Sequence, residues 1–264
     1  MTQDEPTNVA RKHRDGVVWL TIQRPEQLNA ISSGVVRELH AFVEEADSRI
    51  EDRVVVVTGA GRAFSAGADL HQVSDLTMSP PALRALLVAW SEAFRAIERC
   101  SKPVIAAVNG LALAGGLELA LSCDLIVASD AATLGDVHIR YGLVPGGGAT
   151  QRLPDAIGRR RARWLMYTGA TLSAAEAQAW GLVQQVFPDE GFDEAVHELA
   201  ASMARRSQPS LAFMKRLSAS SSVDGGLDLE TESAPHVLTG PDAREGFAAF
   251  SGRREPDFSA STAP

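Results

Sequence analysis

Cysteine and long apolar runs are what this sequence has least of. Only two of its 264 residues are cysteines, which argues against a disulfide framework and favours a reducing compartment. No apolar run approaches the roughly 20 residues that span a bilayer, and the polar N-terminus lacks the apolar segment of a signal peptide. We therefore expect a soluble, cytoplasmic protein that has no membrane partner.

An excess of positive charge and a metal-binding cluster are missing as well. The chain has 25 Lys and Arg residues against 33 Asp and Glu residues, and the net charge of −8 argues against a nucleic-acid partner. The six histidines are scattered, without the spacing of a metal site. What the chain does have is 45% hydrophobic residues, enough for a substantial core, and its length fits one large domain or one domain with an appendage.

The most informative segment begins with the apolar run PVIAAV at residues 103–108, which is typical of a strand buried on both faces. Gly115 and Gly116 follow a short turn, and LELALSC then has apolar residues at helical spacing. We predict that a helix begins at the two glycines. Free N–H groups and the positive end of the helix dipole could then stabilise an oxygen that becomes negative.

Glu118 lies about one turn into this predicted helix. Because it follows Gly115 by three residues, its carboxylate should project from the face on which the free amides lie. An amide donor and a carboxylate would then converge. The alternative is that the glycines only allow close packing of helix and sheet, and that Glu118 only favours the dipole.

The surrounding motifs resemble those of the crotonase family, the enoyl-CoA hydratase and isomerase superfamily. They are RPEQLNAIS, FSAGADL, KPVIAAVNG, LELALSCD and LVPGGGATQRL. The resemblance extends from about residue 17 to residue 258. It implies an α/β fold, a ClpP-like crotonase spiral of repeated ββα units over residues 1–200, with a C-terminal helical trimerisation region over 201–264. A homotrimer, or a hexamer made of two trimers, is the implied assembly.

A second glycine-rich loop, GAGRAFSAGADL, follows an apolar strand at residues 54–58. A dinucleotide fingerprint would need a third glycine where the chain has Phe64, so that reading is disfavoured. The resemblance implies instead that the amide of Ala68 joins that of Gly115 in an oxyanion hole for a thioester oxygen. Small residues there would let the backbone approach the ligand closely.

The resemblance also implies an acyl-CoA substrate, with CoA as the carrier portion of that substrate and no separate cofactor or metal. His71 stands where many relatives carry a CoA-binding lysine, which predicts weaker phosphate binding. The residues implied to contact the substrate or CoA are Gln27, Leu28, Ala30, Ala66, Asp69, Leu70, His71, Phe250 and Arg253. In some relatives, the last two positions contact CoA from a neighbouring subunit.

The second catalytic position departs from the pattern of a hydratase. In LGDVHIRYGLVPG, His138 occupies the position of the glutamate in the family's FGxPE motif. Three interpretations remain open. In the first, His138 lines the pocket without taking part in the reaction. In the second, it acts as acid or base in hydration, since its reference pKa is about 6.5. In the third, it serves another reaction.

The resulting prediction is an enoyl-CoA hydratase-like lyase of lipid metabolism that adds water to a 2-enoyl-CoA thioester. Glu118 would take a proton from water as its oxygen attacks Cβ, and His138 would position that water or protonate Cα. Isomerisation, decarboxylation and hydrolytic C–C cleavage are alternatives. Relatives that cleave diketones add an aspartate where this chain has Gly147. A non-catalytic acyl-CoA-binding protein is a further alternative.

Three other segments carry predictions. The helical pattern ending near residue 100 places Trp90 and Phe94 either in the core, which is favoured, or beside the acyl chain. Residues 159–163 are arginine-rich, and an exposed or subunit-facing helix surface is favoured there over a phosphate site. SSSVDGGL, residues 220–227, is predicted to be a flexible turn, and residues 259–264 a disordered tail.

Overall fold

The computed structural model describes residues 7–76, 79–219 and 223–261. The strands in these ranges are β1 Val9–Arg14, β2 Val17–Ile22, β3 Val54–Gly59, β4 Ala63–Ser65, β5 Val104–Val108, β6 Leu111–Leu113, β7 Leu125–Ser129, β8 Thr133–Gly135, β9 Leu172–Ser173 and β10 Gln185–Phe187. The helices are α1 Ser33–Ser48, α2 Leu70–Leu76, α3 Pro80–Arg99, α4 Gly115–Leu121, α5 Ala149–Ile157, α6 Arg159–Thr168, α7 Ala174–Ala179, α8 Phe192–Ala204, α9 Gln208–Ser218, α10 Val223–Leu238 and α11 Pro241–Gly252. Short 3₁₀ helices cover Pro25–Gln27 and His138–Tyr141.

The strands form two sheets through a repeated pattern. A six-stranded sheet has the order β1-β2-β3-β5-β7-β10, and a four-stranded sheet has the order β4-β6-β8-β9. The consecutive pairs β3 and β4, β5 and β6, and β7 and β8 each contribute one strand to each sheet. Helices follow each pair, and after the third pair the chain adds β9 to the smaller sheet before β10 joins the larger one. The structure thus confirms the predicted spiral of ββα units.

The two faces of the larger sheet are buried in separate apolar clusters. Val55 and Val57 of β3 lie in the main core with α1 and α3, whereas Val54 and Val56 face α8. This alternation follows from the two-residue period of a strand. Both faces of β3 are therefore covered, as its run of four valines predicted.

Helix α1 illustrates how local signals set an element boundary. The side chain of Ser32 accepts a hydrogen bond from the amide of Val35 and so caps the helix, and Leu39 and Val43 continue its buried face. The helix ends at Ser48, and Arg49 after it is extended.

Two predictions for the C-terminal region are wrong for the residues that the structure describes. Val223, in the predicted flexible turn, begins helix α10, and residues 220–222 lie outside the described residues. The predicted disordered tail is ordered as far as Ser261, which is buried. Arg53 donates hydrogen bonds to the carbonyls of Phe258 and Ser261 at 2.9 and 3.1 Å, and the Ser261 hydroxyl accepts from the Gln208 amide at 2.8 Å. These long-range partners hold the tail. Residues 262–264 lie outside the described residues.

None of the helices in the described ranges combines the length and the apolar character that a membrane crossing requires.

Candidate active site

Two glycine-rich turns meet where the four-stranded sheet packs against α4. A Cβ atom built on Gly67 would lie 3.2 Å from the backbone nitrogen of Gly115, and one built on Gly115 would lie 3.3 Å from that of Ala68. The two predicted oxyanion-hole amides therefore belong to segments in direct contact. Gly116 explains how α4 comes so close, since its Cβ would lie 2.1 Å from the Ser65 carbonyl oxygen.

Hydrogen bonding orients the first amide. Ile31 donates from its backbone nitrogen to the Gly67 carbonyl at 2.7 Å, and Asp69 donates to the Ile31 carbonyl at 3.0 Å. Ala68 lies between these two bonds in a parallel bridge with Ile31. In such a bridge the middle residue directs its own N–H to the opposite side. The Ala68 amide therefore points away from Ile31.

The second amide begins a helix. Gly115 is the first residue of α4, so its N–H has no intrahelical acceptor. The preceding Ala114 has φ 49° and ψ −117°, a conformation that L-residues rarely adopt and that sets the orientation of the peptide unit carrying this N–H. A strained backbone at this turn is the kind of feature that concentrates at functional sites.

Glu118 follows one turn later and is fully enclosed. Its side chain is 1% exposed, and its Oε1 atom accepts hydrogen bonds from the amides of Gly147 and Ala149 at 2.8 and 3.0 Å. Burial raises the pKa of Glu118 above the ordinary value, although the two amides and His138 favour its ionised form. A carboxyl group with a raised pKa beside free amides is suited to proton transfer.

His138 lies beside Glu118, on the 3₁₀ helix after β8. Its Nε2 atom is 3.8 Å from Glu118 Oε2, and its Nδ1 atom is 2.7 Å from Asp136 Oδ1. Burial disfavours the charged imidazolium, but the hydrogen bond to Asp136 and the charges of Asp136 and Glu118 outweigh this effect, so that the pKa of His138 is raised. The three side chains form a continuous array.

Helix α3 provides one wall of the site. Trp90 and Phe94 are buried with ring centroids 5.7 Å apart. A Cβ on Gly115 would lie 2.8 Å from the Trp90 ring, and one on Gly147 would lie 2.8 Å from the Phe94 ring. The favoured prediction of a core position is confirmed, and the same rings also border the residues that flank Glu118.

The predicted contacts around residues 27–31 surround the Ala68 loop. The Ala66 amide donates to the Leu28 carbonyl at 2.9 Å, and Arg24 bonds both the Ala30 carbonyl, at 2.6 Å, and the Asp69 carboxylate, at 2.9 Å. Four predicted positions, Leu28, Ala30, Ala66 and Asp69, are thus brought together. Gln27, Leu70 and His71 are exposed at the edge of this group.

Phe250 and Arg253 belong to the C-terminal end of α11 and not to the segments around the Ala68 loop. Phe250 is 86% exposed on α11, and Arg253 follows the last turn of that helix with φ 51°. No hydrogen bond or ion pair in the described ranges connects either residue with residues 66–71. Nor does any group of three or more His, Cys, Asp or Glu side chains in those ranges have the arrangement of a metal site.

Sequence reasoning missed Asp136 and the amides of Gly147 and Ala149. Asp136 precedes His138 by only two residues, and that proximity is a signal that could have been used. The contact of Gly147 and Ala149 with Glu118 joins residues about 30 positions apart, and no local pattern predicts it.

Comparison with known proteins agrees with this geometry. The sequence model described as enoyl-CoA hydratase/isomerase matches residues 12–261. A probable enoyl-CoA hydratase of Mycobacterium tuberculosis is 36% identical over 95% of this chain and 96% of its own length. The 2,3-dehydroadipyl-CoA hydratase of Escherichia coli is 38% identical over 95% of this chain and 97% of its own length. The crystal structure of an enoyl-CoA hydratase from Bacillus anthracis superposes with a TM-score of 0.90 at 34% identity, covering 94% of this chain and 98% of that one. The chain therefore belongs to the enoyl-CoA hydratase/isomerase family, within the crotonase superfamily.

Proposed function

We propose that this protein is an enoyl-CoA hydratase that adds water across the Cα–Cβ double bond of a 2-enoyl-CoA thioester. One observation carries the proposal: Glu118, which lies 3.8 Å from His138, follows by one helical turn the Gly115 amide, and the Gly115 segment is in direct contact with the Ala68 segment. The names of the related proteins, which describe enoyl-CoA hydratases, also support the proposal.

The thioester oxygen would be held by the amides of Ala68 and Gly115. As water attacks Cβ, the double-bond electrons move toward the thioester and the oxygen becomes an enolate oxyanion. A preorganised amide contributes about 3–4 kcal/mol to stabilising such charge in a buried site. The contribution of positioned acid–base groups is about 10²–10⁴-fold in rate. The oxyanion hole and the acid–base groups should therefore make comparable contributions to the rate.

Glu118 would accept a proton from the attacking water. Because the Gly147 and Ala149 amides occupy Oε1, the Oε2 atom is the one available for water, and it is also the atom near His138. His138 would act on the other side of the addition, at Cα. This arrangement makes use of both side chains and needs no redox step.

Gly147 favours hydration over hydrolytic C–C cleavage. A Cβ at this position would lie 2.9 Å from Glu118 Oε2 and 2.8 Å from the Phe94 ring. An aspartate there, as in the diketone-cleaving relatives, would collide with Glu118 and add a second buried carboxylate. The retained glycine keeps Glu118 in its position.

CoA would lie along the outer edge of the Ala68 loop. The contacts proposed there are Gln27, Leu28, Ala30, Ala66, Asp69, Leu70 and His71. Arg24, paired with Asp69, stiffens this edge. Because the side chain of His71 is shorter than that of lysine, phosphate binding through it would be weak.

The assay is hydration of crotonyl-CoA, followed by loss of enoyl-thioester absorbance. We expect turnover by the natural chain and at least about tenfold lower kcat for His138→Glu, because that change places three carboxylates together at Asp136, Glu118 and the new side chain. Absence of turnover with crotonyl-CoA and with longer enoyl-CoA esters would refute hydratase function. Higher activity in His138→Glu would show that His138 is not a working acid or base.

The assembly we propose is a homotrimer, alone or paired into a hexamer. Large apolar side chains are exposed around the 3₁₀ helix after β8 and on α6, namely Ile139, Tyr141, Val144, Trp164 and Tyr167. A neighbouring subunit on this surface could also bring Phe250 and Arg253 to CoA. Light scattering should give a mass of three or six chains, and a monomer at micromolar concentration would contradict the proposal.

A further inference from the structure

We infer that Asp136 is a positioning residue that holds His138 as an imidazolium, with Nε2 directed at Glu118, so that His138 serves as the acid of the reaction. The inference rests on the proposed hydratase function and deepens it. It adds to the proposed action of His138 at Cα the group that keeps the ring protonated for that step.

The hydrogen bonds of Asp136 carry the first step. Asp136 is 1% exposed, and its Oδ1 atom accepts from His138 twice, at 2.7 Å from Nδ1 and at 3.3 Å from the backbone nitrogen. Its Oδ2 atom has no hydrogen-bond partner within the described parts of the chain. Within the described residues, this buried carboxylate therefore accepts its side-chain hydrogen bonds from His138 alone.

The second step concerns the charges of the buried carboxyl groups on either side of His138. A buried carboxylate is costly unless a cation compensates for it, and Glu118 places a second carboxyl group on the other side of the imidazole. A neutral His138 would leave Asp136 without compensation. A residue that only filled space at position 136 would be better apolar, since an unpaired buried oxygen stabilises nothing.

The other charged side chains near His138 bond to groups other than its ring. Arg140 donates from Nε to the Gly169 carbonyl at 2.8 Å, and Arg152 of α5 bonds Glu98 and the Gly147 carbonyl. The arginines of α6, which packs against this 3₁₀ helix, are exposed. The groups that face the ring are therefore Asp136 on Nδ1 and Glu118 on Nε2.

The proton balance closes within this array. The Oε2 atom of Glu118 takes one proton from water while the water oxygen bonds to Cβ, and imidazolium Nε2 delivers its proton to Cα of the enolate. Glu118 is then protonated and His138 is neutral, with its remaining proton held on Nδ1 by Asp136. Transfer of the Glu118 proton to Nε2, 3.8 Å away in the resting site, restores both groups. The net reaction is addition of one water molecule.

The test compares pH–rate profiles of the natural chain and Asp136→Asn. An acid must be protonated to act, so kcat should fall as pH rises through the pKa of His138, which is raised in the natural chain. Asparagine can still accept from Nδ1 but carries no charge, so this falling limb should move to lower pH. We expect kcat to drop about 10²-fold near pH 8 and by a smaller factor near pH 6, with KM nearly unchanged.

The matched control is Asp15→Asn. Asp15 bonds His197 Nε2 at 3.1 Å on the β1–β2 turn, and asparagine tolerates its φ of 54°. That change should leave the profile unaltered. A loss in Asp136→Asn that is equal at every pH would reduce Asp136 to a structural role and overturn the inference.

A nitrogen-15 NMR titration of His138 separates the two proposals. In the natural chain the ring should titrate at higher pH than in Asp136→Asn, and its neutral form should carry the proton on Nδ1. If the titrations coincide, the inference fails even when hydratase activity is present. If no enoyl-CoA is hydrated but the titrations differ, the proposed function fails and the coupling of Asp136 to His138 stands.

Discussion

Replacing Glu118 by glutamine should lower kcat for enoyl-CoA hydration by about 10²–10⁴-fold, the range of a positioned general base. Glutamine keeps the size of the side chain, and its carbonyl oxygen can still accept from the Gly147 and Ala149 amides, which bond Oε1 at 2.8 and 3.0 Å. The fold should therefore be retained. What would be lost is the carboxylate that we propose removes a proton from water. Steady-state kinetics with crotonyl-CoA measure the effect.

The control for this experiment is Glu92→Gln. Glu92 is an exposed glutamate whose ion pair with Arg95 spans 3.6 Å on the surface of α3, and such pairs contribute little. This variant should match the natural chain. A Glu118→Gln protein that melts normally and keeps more than about a tenth of the natural kcat would contradict a base role for Glu118.

Replacing Ala68 by proline should lower kcat by about 10²–10³-fold, as expected for the loss of one oxyanion-hole donor. Proline has no N–H, and this amide is not the one that pairs with Ile31, because the bridge uses the Gly67 carbonyl and the Asp69 amide. Ala68 is also not among the residues with positive φ, where proline could not fit. The loss should fall on kcat more than on KM, since the oxygen charge grows in the transition state.

Ala68→Gly is the matched comparison, because it removes the side chain and keeps the donor. We expect it to retain most of the natural kcat. Circular dichroism melting would show whether either variant is unfolded. If folded Ala68→Pro and Ala68→Gly have similar kcat values, the Ala68 amide does not stabilise the reaction and the oxyanion hole must be sought elsewhere.

The relation between Gly115 and Glu118 could be predicted from the sequence because both lie in one helix. A spacing of three residues fixes the relative direction of two groups on a helix, whatever packs around it. The strands could also be predicted from the sequence, because a run such as the four valines of β3 needs two covered faces. The motif resemblance supplied what periodicity could not, the expectation that the Ala68 and Gly115 turns act together.

The C-terminal tail shows the limit of local composition. A short tail that contains serine and proline predicted disorder, yet Ser261 is buried against Gln208 and Arg53. Those partners lie 53 and 208 residues away. Whether a polar tail is held depends on acceptors and donors that other elements present to it.

By itself, the sequence determined the alternation of strands and helices and the helix that begins at Gly115. Only the tertiary structure decided that Asp136 and Glu118 lie on opposite nitrogens of one imidazole, and that the Gly147 and Ala149 amides hold one oxygen of Glu118. The physical reason is that periodicity reports which face of an element is buried. The electrostatic state of a side chain depends on groups that the fold brings to it from distant positions.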